Sequence, residues 1–211
     1  MKRIILMADI IKSHLQDQRE LISEFKEMIQ STNIIYQDSI LSPLTITLGD
    51  EFQGILKNAI SAVEIIIHLE EELLHRKAGF KLRYIVHEGE IETAINDKIA
   101  FEMLGEGLSE ARNMLTILKE GKHRFHIVID NSSHSELLNN AFKIFETITD
   151  RWREKKDEEI ISNFLKYKDY KIIAEILERE RSLIWKRQKS LQLESYYSIK
   201  SIIELSFKLS A

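Results

Sequence analysis

Residues 45–56, TITLGDEFQGIL, decide how the chain is read. Apolar and hydroxylated residues alternate up to a stop at Gly49, Asp50 and Glu51 follow at once, and an apolar run resumes at Phe52. Two strand-like runs on either side of a Gly-Asp step predict a hairpin, because glycine and aspartate suit the backbone of a tight turn. Turn formation alone accounts for most Gly-Asp pairs. A metal site at such a tip needs a second carboxylate elsewhere, and a topology that brings the two together.

Before the hairpin, residues 3–10, RIILMADI, form an apolar run of strand length that reads as a buried central strand ending near Asp9. From Gln18 to about Gln30, Leu21, Ile22, Phe25, Met28 and Ile29 recur at helical spacing. After the hairpin, a second helix is expected from about Ala59 to Arg76, with Ile60, Val63, Ile66, Ile67, Leu73 and Leu74 inward. Residues 80–91, FKLRYIVHEGEI, then read as another strand. The order is β-α-β-β-α-β, the split βαβ arrangement, in which the first and third strands are central antiparallel neighbours. Asp9 and Asp50 would therefore face each other at one sheet end. Two carboxylates that close repel unless a cation or proton lies between them, and hard oxygen ligands suit Mg²⁺ or Mn²⁺ with phosphate completing the shell.

Beyond this unit, residues 103–121, MLGEGLSEARNMLTILKEG, read as a glycine turn and a helix with Leu108, Ala111, Leu115 and Leu118 inward. Residues 123–130, HRFHIVID, are one more strand. Asn131 or Ser132 would cap a helix carrying the stripe Leu138, Ala141, Phe145, Ile148 and Trp152. The charged run 151–159, RWREKKDEE, reads as a solvated connector.

Composition narrows the function. The 211 residues carry a net charge of −4, yet residues 1–150 sum to −8 and 151–211 to +4. All seven glycines and the single proline, Pro43, lie between residues 43 and 121, so tight turns belong to the first part. The absence of cysteine excludes thiolate metal sites, thiol nucleophiles and a disulfide framework, which fits a reducing cytoplasm. No apolar run approaches the roughly 18 residues that span a bilayer, and the first residues meet Asp9 too early for a signal peptide, so a cytoplasmic, non-membrane protein is expected.

In the basic tail, residues 167–199, Ile173, Ala174 and Leu177 form an apolar stripe with a small residue suited to a close helix crossing; a polar break follows and Leu183 and Ile184 resume. This pattern reads as a helix-turn-helix with about 179–190 as its second helix, holding Arg179, Arg181, Lys186, Arg187 and Lys189 against Glu180 alone. Such a surface suits the phosphates of duplex DNA. Glu178 and Arg179 stand where many such units place glycine and an apolar residue, and the alternative is a helical cap or dimerisation bundle with a basic rim. Tyr196, Tyr197, Ile199, Ile202, Ile203 and Leu205 would build a final helix packed under the unit.

Four landmarks in order, MADIIKS (7–13), TLGDEFQ (47–53), RYIVHEGEI (83–91) and LGEGLSEARNML (104–115), resemble those of class III nucleotidyl cyclases and the related GGDEF domains over roughly residues 1–130. With the basic helical tail behind them, the chain is similar to the SatD family of bacterial proteins. The resemblance implies an α+β fold, a ferredoxin-like, palm-type cyclase-like sandwich over 1–150, followed by a small all-α helix-turn-helix-like domain over 151–211. It matches Asp9 and Asp50 to the two metal-binding aspartates and the carbonyl of Ile10 to the one that joins them. It also matches the backbone of Ile11, Lys12 and Ser13 to the phosphate-facing loop, and Arg112 to the arginine that meets triphosphate charge. Other positions depart from the pattern: Leu108 replaces an asparagine, Ile46 a base-reading lysine, and Lys12 and Ser13 the usual Gly-Phe. The expected function is a regulatory or nucleic-acid-binding protein, possible as a homodimer, whose first domain binds a metal-nucleotide or other phosphate ligand. The rivals are a divergent metal-dependent cyclase or nucleotidyltransferase, and a non-catalytic structural or dimerisation protein.

Overall fold

A computed structural model of the chain describes residues 1–11, 18–47, 49–153 and 157–208. The strands are β1 (Lys2–Ile10), β2 (Ile40–Ile46), β3 (Glu51–Leu56), β4 (Leu82–Glu90) and β5 (Phe125–Val128). The helices are α1 (Gln18–Ile35), α2 (Ala59–His75), α3 (Glu106–Glu120), α4 (Ser132–Thr149), α5 (Glu158–Tyr167), α6 (Tyr170–Ile176), α7 (Arg181–Ser190) and α8 (Leu193–Lys208). The β-α-β-β-α-β order of the first six elements is the one expected from the sequence. Their four strands and β5 build a mixed five-stranded sheet in the order β2-β3-β1-β4-β5, with β1 antiparallel to both β3 and β4, and β5 parallel to β4, in an α+β fold.

The two sheet faces are covered unequally. Ile4, Leu6, Ala8 and Ile10 of β1 point to one face, where α1, α2, α4 and the C-terminal helices supply a single apolar cluster. Ile5 and Met7 point to the other, where Ile55, Ile85 and the α3 residues Ala111 and Leu115 meet them. Strand alternation therefore puts Asp9 on the α3 side. Helix α3 sits close to β4 because two glycines face each other: a Cβ on Gly107 would lie 2.5 Å from the backbone of Gly89, and one on Gly89 would lie 2.5 Å from that of Gly107.

The cluster on the first face is continuous from β1 to α8. Phe142 and Phe145 of α4 share it with Ile160, Phe164, Ile173, Ile184, Tyr196 and Ile203. Trp152 is fully buried and its indole N–H donates to the Leu191 carbonyl at 2.8 Å. In α8, the final helix expected from these residues, Tyr196, Ile199 and Ile203 are buried, whereas Ile202 and Leu205 are about half exposed (50% and 47%). The helix presents one face to the core, and those two positions fall off it. Asn131 caps α4, its side chain accepting from the His134 N–H. Among the described residues, no helix is long and apolar enough to cross a membrane.

Candidate functional site

Asp9 is the last carboxylate of β1, and the register pairs it with Glu51 on β3 and with Arg83 on β4. One row across three strands thus reads Glu51–Asp9–Arg83, with all three side chains on the α3 face. Asp50 stands one residue earlier, in the turn after Gly49, whose φ of 86° is the left-handed conformation glycine accepts without strain. The Asp50 carbonyl accepts from the Ile10 N–H at 2.9 Å, so the hairpin tip is tied to the end of β1 through the backbone.

Helix α3 completes the cluster. Arg112 and Lys119 are seven residues apart, two turns along one face. Arg83 Nη1 lies 3.1 and 3.0 Å from the two Asp9 carboxylate oxygens. Lys119 Nζ bridges the carboxylates, 3.3 Å from Asp9 Oδ2 and 2.7 Å from Glu51 Oε1. Arg112 donates from Nη1 to Glu51 and from Nη2 to Gln53, each at 3.3 Å. Two carboxylates thus meet three cations. Burial pushes the Asp9 carboxyl up, and Arg83 and Lys119 pull it back only in part. Lys119 is also partly desolvated, yet it is held above its ordinary value by Glu51 and Asp9. The two directions conflict for one ion pair; the geometry, with both Asp9 oxygens accepting from Arg83, favours the charged pair.

Several residues anticipated from the sequence have other settings here. The Ile11 N–H donates to the Lys81 carbonyl at 2.9 Å, extending the ladder past β1, so this amide does not face a phosphate as expected. Lys12 and Ser13 lie outside the described residues. His87 is buried with its Nε2 2.8 Å from a Glu110 oxygen. Leu108 and Ile46, the apolar replacements, pack against the two apolar clusters. Glu51, Arg83 and Lys119 were not among the expected site residues. Their signal is conditional: strand alternation and register mark Glu51 and Arg83 once Asp9 is placed, and helical spacing from Arg112 marks Lys119.

Beside the cluster opens a cleft of about 560 Å³, lined in part by Lys81, Arg83, Lys119, Lys122, His123 and Arg124. Its basic walls come from the starts of β4 and β5 and the end of α3. Opposing carboxylates lie at the end of α4 and just beyond it, with Glu146 3.1 Å from His123 and Asp150 3.0 Å from Lys81.

At the Mg²⁺ or Mn²⁺ site expected at Asp9, Ile10 and Asp50, Asp9 is engaged by two cations of the chain itself. Among the described residues, no group of three or more His, Cys, Asp or Glu side chains is placed to hold a metal ion. The Asp9 oxygens are already shared by Arg83 and Lys119, so a metal ion would have to take them from these two cations.

In the tail, α6 and α7 are joined by residues 177–180, and Glu178 takes the left-handed conformation, φ 50°, at the position where glycine is the usual choice. Arg179 lies 3.8 Å from Glu159, Arg181 2.7 Å from Glu175 and Lys189 2.8 Å from Glu194, and Arg187 pairs with Asp157. Lys186 is exposed. The one-signed surface expected of α7 is therefore offset by carboxylates from α5, α6, α8 and the residue preceding α5.

A sequence profile of the SatD family matches residues 3–204. The chain belongs to the SatD family. No curated protein matches it in sequence. Solved structures similar to this SatD-family chain include a bacterial light-regulated adenylyl cyclase, at 13% identity and a TM-score of 0.41, over 60% of this chain and 43% of the other. The catalytic core of a rhodopsin-guanylyl cyclase with converted specificity, in complex with ATPαS, is 13% identical with a TM-score of 0.35, over 55% and 71%. The guanylyl cyclase Cya2 is 10% identical with a TM-score of 0.38, over 56% and 70%. The chain thus spans less than half of the first of these.

Proposed function

We propose that this SatD-family chain is a regulatory protein that binds a phosphorylated ligand of nucleotide class at the sheet end and does not turn it over. The observation that carries the reading is the Glu51–Asp9–Arg83 row capped by Lys119 and Arg112, opening onto the basic cleft. With Lys119 and Arg112 added to the row, three cations face two carboxylates, so the cluster has a cation to offer an anion, and a cleft of this volume is within the range of small-molecule sites. Arg112, with 44% of its side chain exposed, and Lys119, with 39%, are accessible enough to exchange a carboxylate partner for a phosphate oxygen. The sequence resemblance to nucleotidyl cyclases supports a nucleotide as the ligand class.

Binding without turnover is favoured by the two apolar replacements. Phosphoryl transfer needs preorganised charge donors, and losing one typically costs about 10²–10³ in rate. Leu108 and Ile46 offer no donor and are committed to packing. Mg²⁺ and Mn²⁺ are given no role. Duplex DNA is left out as well, because four of the five tail cations proposed for it already face carboxylates.

The test is a thermal-shift panel of nucleoside mono-, di- and triphosphates with the full chain, each with Mg²⁺ and with EDTA, followed by chromatography of the nucleotide. Stabilisation should rise with phosphate number and persist in EDTA, reaching about 2.7 kcal/mol at 100 times the dissociation constant. The nucleotide should be recovered unchanged. A cyclic or otherwise altered product would promote the enzyme reading, and no shift with any nucleotide would end the proposal.

A further inference from the structure

We infer that the Lys119 ammonium is the resident counter-ion of the Asp9–Glu51 carboxylate pair, holding the position a divalent metal would take and closing the pair to metal ions. The cluster is the one proposed above to meet phosphate, and the inference is about the ligand-free chain.

Three observations converge on it. Lys119 Nζ lies within ion-pair distance of both carboxylates, 3.3 Å from Asp9 and 2.7 Å from Glu51, which is the bridging position between them. Both carboxylates are largely withdrawn from water, with side-chain exposures of 6% and 10%, so neither can be left without a cation at small cost. The lysine is also held in place. Helix α3 is fixed by the Gly107–Gly89 approach at its start and by Ala111 and Leu115 in the second apolar cluster. A tethered ammonium competes at a high effective concentration, whereas a metal ion must arrive from solution and shed bound water.

Arg83 strengthens the exclusion. It engages both Asp9 oxygens from the neighbouring strand, so a metal replacing Lys119 would still find the carboxylate shared with a guanidinium. Arg112 does the same for Glu51 from the helix. Each arginine holds one carboxylate and Lys119 bridges the two, so removal of Lys119 opens the position between them while each keeps its guanidinium.

The experiment is Mn²⁺ binding to the full chain without nucleotide, followed by electron paramagnetic resonance of free Mn²⁺, for wild type, Lys119→Met and Lys119→Met with Asp9→Asn. Met keeps the length of the side chain and removes the charge. The inference expects Lys119→Met to bind Mn²⁺ at least tenfold more tightly than wild type, with the gain lost in the double variant. Equal affinity in wild type and Lys119→Met would overturn it, as would a gain that survives Asp9→Asn. Should Lys119→Met lack the native circular dichroism spectrum in metal-free buffer, Lys119→Gln is read by the same criterion. A failure here leaves the phosphate-ligand reading standing, because that reading is tested in EDTA.

Discussion

At the scale of single residues, Glu70 and Arg124 give the strongest stability prediction. Both are almost wholly buried, at 1% and 4% exposure, and the guanidinium donates to both Glu70 oxygens at 3.0 Å while Tyr84 donates to one at 3.1 Å. Burial acts against the Arg124 charge, but Glu70 and Asp150 outweigh it and hold the group above its ordinary value. Glu70→Ala removes the carboxylate that accepts twice from that cation and leaves Asp150, 2.9 Å away; losing one partner of a buried pair costs about 3–5 kcal/mol. Urea unfolding should show this as a lower midpoint at unchanged slope, and a change under about 1 kcal/mol would mean that Asp150 suffices. Neither residue stands out in the sequence, since Glu70 lies in a charged run and Arg124 in a basic one. Asp9 was legible for the opposite reason: it interrupts an apolar strand. Glu51 was hidden by its neighbour, because residues 50 and 51 are both acidic and only the register shows which one faces Asp9.

At the scale of elements, hydrophobic period found the strands and helices, because packing against one face imposes it. Period does not report which strand lies beside which row, so the sequence led to Asp9 and Arg112 but not to the Glu51–Asp9–Arg83 row or to Lys119. The tail was harder still. Helices α5, α6 and α7 are 10, 7 and 10 residues long, and exposed apolar residues such as Leu183 and Trp185 (each 44%) blur the stripe. Helix α3 is the element on which the site depends, since it carries both Arg112 and Lys119. Gly107→Ala would place a methyl 2.5 Å from the Gly89 backbone, where nothing flexible can yield. The expected cost is about 1–3 kcal/mol, typical of overpacking. The displaced helix should also weaken nucleotide stabilisation in the thermal-shift assay, whereas intact ligand binding in this variant would show that α3 does not position the site.

At the scale of the whole molecule, the −8 and +4 halves of the chain are joined by one apolar cluster, so its stability should respond to pH as a unit. Burial lowers His68 and His134, and burial with the charge of His87 lowers His126, all from an ordinary value of 6.5. A lowered histidine is stabilising above the unfolded value, and that contribution is lost as pH falls through the lower folded value, because only the unfolded chain binds the proton there. Urea midpoints should therefore be level above about pH 7 and fall below pH 6.5, with a smaller fall in His68→Phe. A midpoint that rises on acidification from pH 6.5 to 5.5 would contradict the assignment.

The central claim is that the sheet end binds a phosphorylated ligand through Arg112 and Lys119. Equilibrium dialysis of a labelled nucleoside triphosphate against the full chain in EDTA tests it directly, using wild type beside Arg112→Glu with Lys119→Glu. The account predicts one saturable site per chain in the wild type and at least a tenfold loss of affinity in the folded double variant. Undiminished binding in that variant, or no saturable binding to the wild type, would contradict it.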